Sequence, residues 1–413
     1  MSATETPSPP SSLAPFRYPT FRAIWIANLA SNMGSMIQSV GAAWLMTELT
    51  TSHQLIALVQ AGATIPILLL GVFAGAIADN FDRRRVMLAA QSGMLVISAA
   101  LTTATWMGVI SPLLLLFFTL AVGCGTALNG PAWQASVRLQ VEPKDLPQAI
   151  ALNSIAFNLA RSVGPALGGL LISVTGPAPA FALNSISYLA LIIVLLRWHP
   201  EVTPPKRTPM LAAIGTGVRF CIQSNPVRRI LIRGFAFGLA AIGFQALLPA
   251  LVRDRLHGTE TIYGLCLATF GAGSILAALW VGGLRRRWGS DRIVSVSAII
   301  FAAALIPMAF ATSVPAVMAS TFVAGLAWVS TLTTLNVAMQ LRSPEAILGR
   351  CLSIYQAVTF GAMALGAYLF GLLADLWSLS GALIASSGWL VLTALLLPFL
   401  APMPGRDEGR VDR

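Results

Sequence analysis

The sequence predicts an all-α integral membrane protein with twelve transmembrane helices in two pseudo-symmetric six-helix bundles, on three observations. Of its 413 residues, 56% are hydrophobic and only 10% charged, with a mean hydropathy of +0.78, whereas soluble domains carry about a quarter charged residues. The apolar residues form unbroken runs such as IPILLLGVFAGAIA, which disfavours the every-second-residue alternation of a transmembrane β-barrel. A polar, proline-bearing stretch from Arg197 to Pro226 divides the chain near its middle.

Runs long enough to span a bilayer, about 20 residues each, occupy 23–47, 55–78, 86–107, 113–136, 149–174, 178–196, 229–251, 262–284, 293–311, 314–337, 348–373 and 379–400. An even number of spans puts both termini on one side. All 26 basic residues except Arg161, Arg253 and Arg255 fall on that side, among them Arg138, Lys144, Arg285, Arg286, Arg287 and Arg292. Lys and Arg are retained in cytoplasmic loops, so both termini are expected in the cytoplasm of a cell (inner) membrane protein. Topology then accounts for the net charge of +11 without a nucleic-acid partner. Residues 1–20 lack the basic-then-apolar order of a cleaved signal and read as a disordered cytoplasmic tail. Residues 21–196 and 229–400 are the two bundles, 197–228 a cytoplasmic central loop and 401–413 a second tail. Within the central loop, Met210 to Gln223 reads either as a linker or as a helix lying on the bilayer, with Leu211, Ile214, Val218 and Ile222 along one face.

The halves echo each other. GAIADNFDRRR (Gly75 to Arg85) overlays GGLRRRWGSDR (Gly282 to Arg292) at an offset of 207, and Gln140 and Leu152 find Gln340 and Leu352 at 200. Matching hydropathy order makes this a duplication.

Enzyme chemistry has no visible apparatus. Cys124, Cys221, Cys266 and Cys351 are widely spaced, which points to neither disulfides nor a metal site. No H-E-x-x-H, G-x-S-x-G or G-x-x-x-x-G-K-[ST] pattern occurs, and His53, His199 and His257 fall in loops. No catalytic residue, metal or cofactor is expected.

Polar groups inside hydrocarbon are costly and mark cavities or helix contacts. On the first span Asn28, Asn32, Ser35 and Ser39 share a face beside Ser31 and Gln38; they read as cavity lining or as interhelical glue. On the fifth, Ser154, Asn158 and Arg161 share a face. Arg161 sits near mid-span, where an unpaired Arg costs about 2.5–3.5 kcal/mol even on the lenient insertion scale, and no Asp or Glu lies in mid-span to neutralise it. It either locks helices through carbonyls and amides, snorkels to an interface, or holds an anionic or carbonyl-bearing substrate group or a counter-charge during conformational change. Gly164, Pro165, Gly168 and Gly169 read as a helix bend or as a packing surface. Phe235, Phe244, Gln245, Phe270, Trp328, Thr331, Tyr355, Gln356 and Phe360 offer aromatic and amide groups for an amphiphilic ligand. Proton coupling finds only peripheral candidates, Asp79 and Glu48.

Over Phe16 to Leu400 the chain resembles the major facilitator superfamily of secondary transporters. Gly75, Asp79, Arg83, Arg84 and Arg85 match its loop pattern G-x-x-x-D-r-x-x-R-R-R, and ARSVGPALGG (Ala160 to Gly169) is similar to its exporter pattern G-x-x-x-G-P-x-x-G-G, with Ala160 at the first Gly. NGPAWQA (Asn129 to Ala135), ALNSIAFNLARSVGPALGG (Ala151 to Gly169) and LTTLNVAMQLRSPEAILGR (Leu332 to Arg350) resemble the enterobactin-exporter-like, or transmembrane secretion effector, branch. The resemblance implies a secondary transporter for efflux of a hydrophobic or amphiphilic small molecule, working as a monomer among membrane lipids and coupled to protons. An importer, a lipid scramblase and a membrane receptor are alternatives on the same scaffold. It also implies a latch between Asp79 and the start of span 11 near Gly349 and Arg350, extended by Arg83 and Arg85. The mid-span-4 Arg of many proton-coupled exporters has an uncharged counterpart here, near Thr119.

Overall fold

Prolines and serines set where the helices begin. The computed structural model describes residues 13–200, 210–344, 347–405 and 408, with the side chains of Val72, Asp79 and residues 210–213 left undescribed, and the described residues form helices and no strand. The first half comprises α1 (Pro19–Leu49), α2 (His53–Asn80), α3 (Arg83–Trp106), α4 (Pro112–Ser136), α5 (Leu146–Thr175) and α6 (Pro177–Arg197). A shorter α7 (Met210–Gln223) leads to α8 (Asn225–Asp254), α9 (Glu260–Ala309), α10 (Val314–Leu341), α11 (Leu348–Leu376) and α12 (Leu379–Leu400). Six of these helices carry Pro in the first turn, where the missing amide hydrogen costs nothing. Ser52, Ser111 and Ser378 cap α2, α4 and α12 by accepting from backbone amides.

A straight α9 of 50 residues would reach about 75 Å, far more than the ~30 Å of hydrocarbon. It does not run straight. Gly289, at φ 80° and ψ 162°, takes a backbone conformation closed to most side chains and folds the helix into two spans, 260–288 and 290–309. The ring of Phe244 lies 5.2 Å from that of Phe270 and 6.2 Å from that of Phe301, so the two limbs run side by side. At the offset of 207, Gly289 corresponds to Asp82, the residue that separates α2 from α3 and caps the latter. With α9 counted as two spans, each half has six.

The halves hold together differently inside. In the first, Gln38 Oε1 accepts from Ser98 Oγ at 2.5 Å and from Asn184 Nδ2 at 2.8 Å, while that amide also reaches Tyr188 Oη at 3.0 Å; one buried network ties α1, α3 and α6. In the second, Phe237, Phe244, Phe270, Phe301 and Trp328 form an aromatic cluster across α8, both limbs of α9, and α10. Offset and edge-to-face pairs of this kind add about 0.5–1.5 kcal/mol beyond area burial.

Arg161 is not the only cation to leave water. Arg233, just inside α8, is 2% exposed, donates Nη2 to Asp291 Oδ1 at 2.5 Å and Nε to the Ala401 carbonyl at 2.8 Å. Position in the sequence places it at the rim, and only the packing of α9 and the segment after α12 covers it. α7 buries Gly217 and Cys221 toward α11 and leaves Val218 and Ile222 of the expected stripe exposed, with Ile214 half-buried and the side chain of Leu211 outside the described residues.

Removing one member of a buried ion pair typically costs about 3–5 kcal/mol. Asp291 keeps partial solvent contact, so Arg233→Ala is expected at the low end of that range, read as a lowered thermal unfolding midpoint in detergent.

Candidate functional site

The contacts of α1 divide its surface. Gly34 and Gly41 abut α6, where added β-carbons would meet Asn184 and Phe181, and Ser35 meets Tyr188 at 3.4 Å. Met36, Ile37 and Val40 meet Gly164 and Gly168 of α5. The remaining face carries Asn28, which is buried, Asn32, which is half-buried, and Ser39, which is exposed although it lies mid-helix. Opposite, Gln245 is the one residue of 236–252 on α8 that is not buried. On α11, Gln356 is exposed, while Phe360 is half-buried against the core. Asn158 and Arg161 on α5 are partly exposed, and Asn158 Nδ2 donates to the Ser154 carbonyl at 2.8 Å.

Arg161 is the one charged side chain among these residues. Its guanidinium carbon stands 5.6 Å from the ring centre of Phe270 and 6.0 Å from that of Trp328, both on the other half. Among the described residues no ion pair includes it. A cation on a ring face gains about 0.5–2 kcal/mol, less than the cost of its burial, so the two rings alone do not offset its removal from water. Pro165 has no amide hydrogen to give the Arg161 carbonyl, which leaves an acceptor beside the cation.

Four expected lining residues are placed elsewhere, the first being Ser35, which meets Tyr188 of α6. Gln38 spends its carbonyl oxygen on Ser98 and Asn184, the interhelical role. Phe244 is 0% exposed in the aromatic cluster. Tyr355 is buried against α8, where a β-carbon on Gly234 would come within 3.2 Å of its ring. Trp328 is buried too, with one face on Arg161.

The expected bend and latch are resolved in part. α5 is uninterrupted through Pro165, and its glycines permit close contact: a β-carbon on Gly264 would fall 2.4 Å from the Pro165 carbonyl oxygen, and one on Gly169 2.5 Å from that of Glu260. This seam joins the halves through backbone. Gly75 places the end of α2 beside Ser353 of α11, but the side chain of Asp79 lies outside the described residues. Arg83 donates to the Ala135 carbonyl and Arg84 to those of Leu195 and Leu196, all in their own half. Arg85 is 3.7 Å from Asp82, and Arg350 packs beside Gly217 of α7. These cations brace helix ends within a half or against α7.

The end of the bundle opposite the termini carries polar contacts between halves that the sequence did not disclose. Asp375, in the last turn of α11, accepts from Ser52 Oγ at 2.7 Å and from the amides of His53 and Gln54 at 2.6 and 3.1 Å. His53 is the first residue of α2 rather than part of a loop. Arg253 donates to the Thr47 and Thr50 carbonyls of α1's end. Trp44 stacks on Tyr263. That end is sealed.

A family model described as "Transmembrane secretion effector" matches residues 10–411. The chain is 26% identical over 351 residues to the Staphyloferrin A transporter of Staphylococcus aureus, spanning 84% of this chain and 87% of that one. It is 26% identical over 390 residues to the multidrug efflux pump Tap of Mycolicibacterium fortuitum, with coverage of 91% and 94%. Against the enterobactin exporter EntS of Escherichia coli the identity is 26% over 399 residues, with coverage of 94% and 93%. A solved bacterial homologue of the human lysosomal transporter Spinster, inward-facing and occupied, superposes with a TM-score of 0.75 at 14% identity over 96% of this chain and 99% of the other, and so shares the fold.

Because Gly264 has no room for a side chain, Gly264→Val overpacks the α5–α9 seam and is expected to cost about 1–3 kcal/mol. Gly283→Val on the same helix, where a β-carbon meets nothing within 4 Å, serves as the neutral control, both read as unfolding midpoints.

Proposed function

The chain belongs to the transmembrane secretion effector family of the major facilitator superfamily, and from that premise we propose that it exports a hydrophobic or amphiphilic small molecule by alternating access. The observation that carries this reading is Arg161, a cation without an acidic partner among the described residues, held against Phe270 and Trp328 of the opposite half. A substrate with a carboxylate or carbonyl beside an apolar body would meet both features at once: a charge-assisted hydrogen bond from the guanidinium edge and ring surface alongside. Asn28, Asn32, Ser39, Asn158, Gln245, Gln356 and Phe360 complete the pathway.

Because Arg161 reaches across from one half to the other, a ligand there competes for the contact that joins them. Rocking of the halves about this point exposes it alternately to either side. The basic loops favour a cytoplasmic terminal end; the sealed end then faces outward and the protein loads from within. Rocking serves import equally well; the names of an enterobactin exporter and a multidrug efflux pump among the relatives favour export. The substrate is accordingly siderophore-, drug- or metabolite-like, and the protein acts as a monomer.

The test uses proteoliposomes with an amphiphilic dye bearing a carboxylate and its neutral ester. Arg161→Ala removes about 1.5–3 kcal/mol of charge-assisted bonding, so transport of the acid is expected to fall about tenfold or more while the ester changes little. Arg161→Lys, lacking the planar edge, recovers part of the loss. Equal transport of both dyes by wild type and Arg161→Ala removes Arg161 from the substrate site.

A further inference from the structure

The only histidine that joins the two halves among the described residues is held by a carboxylate at each ring nitrogen. His53 Nδ1 lies 3.0 Å from Asp375 Oδ1 and His53 Nε2 lies 3.0 Å from Asp254 Oδ2. His53 belongs to the first half, and both carboxylates to the second. A neutral imidazole has one N–H donor and one lone pair, so in that form one carboxylate faces a lone pair; only the imidazolium donates to both. The side chains of His53, Asp254 and Asp375 are 22, 33 and 28% exposed, open enough for protons to exchange and sheltered enough for the interaction to escape full screening.

We infer that His53, Asp254 and Asp375 form a proton-binding site at the outer surface, in which a proton on His53 holds the two halves shut. This rests on the alternating-access reading above. The neighbouring charges support the sign. On α8, Arg253 bonds Asp254 at 3.1 Å, so two carboxylates and one guanidinium leave a single negative charge that the imidazolium balances. On α11, Asp375 is the facing group, and it also receives the α2 amides. Arg255 is engaged with Ser380 at the start of α12. Glu48 on α1 has Glu260 of α9 as its acidic neighbour; at the offset of 207 Glu260 takes the place of His53, so the two-fold-related corner holds two acids and no histidine.

When the halves part at this end, His53 loses both carboxylates and water replaces them. The sealed state therefore binds the proton more tightly than the open one, and by reciprocity external acid favours sealing. Raising the external pH therefore makes the outer opening easier. An acidic exterior would close the carrier after release and return it to its loading state.

The experiment measures an electron–electron resonance distance in full-length protein in nanodiscs, with the four native cysteines replaced and spin labels at Met107→Cys and Phe310→Cys. Both positions are exposed, at the sealed end and on opposite halves. Wild type is expected to gain a longer-distance population about tenfold in going from about pH 5 to about pH 8. His53→Gln is expected to populate it at both pH values. Asp254→Asn, which keeps the histidine and one carboxylate, should shrink the pH response. The same pH response in wild type and both variants, or none in wild type while an amphiphile still shifts the distance, overturns the proton site and leaves alternating access standing. A distance that neither pH nor amphiphile moves in any variant overturns the rocking reading together with the site.

Discussion

Hydrocarbon offers a charge no partner, and the placing of two arginines shows how the structure answers that constraint. Arg233 is buried with Asp291 and the Ala401 carbonyl, so its burial is settled within one half and contributes to stability. Arg161 is settled across the two halves, by ring faces that are weaker partners than a carboxylate. A charge compensated in that way is only as secure as the contact between the halves, and a ligand can compete for it.

The seams between the halves follow the same logic. Between α5 and α9 the contact is made by backbone, with glycines giving up side chains for proximity. Such a surface is poor in hydrogen bonds, with Thr261 Oγ1 donating to the Gly169 carbonyl at a long 3.4 Å. Where α2 and α8 meet α11, the contact is ionic and hydrogen-bonded, and its strength depends on the charge of one imidazole. One corner is a hinge surface and the other a bolt. Inside each half, by contrast, the amide network around Gln38 ties α1, α3 and α6 together, and the aromatic cluster around Phe244 and Phe301 ties α8, α9 and α10.

Much of this fold was legible in the chain itself. Composition and run length gave a twelve-span membrane protein, since twenty apolar residues have few other solutions, and the Gly75 and Gly282 segments revealed the duplication. Arg161 stood out because a charge in an apolar run has no local explanation. The α1 stripe was legible only as a stripe: the helical period puts Asn28, Asn32, Ser35 and Gln38 on neighbouring positions, but which of them faces a cavity depends on where α5 and α6 lie. Phe244 and Tyr355 carried the same ambiguity, because an aromatic ring suits a core as well as a binding surface.

The sequence by itself determined the number of spans, the two halves and the existence of an isolated cation, because hydropathy, periodicity and charge are local properties that each segment carries alone. The tertiary structure decided what each polar group touches. His53, Asp254 and Asp375 lie hundreds of positions apart and each looks like an ordinary loop or helix-end residue; only the packing of α2 against α8 and α11 brings an imidazole between two carboxylates. Partnership of that kind depends on distance in space, and chain order does not encode it.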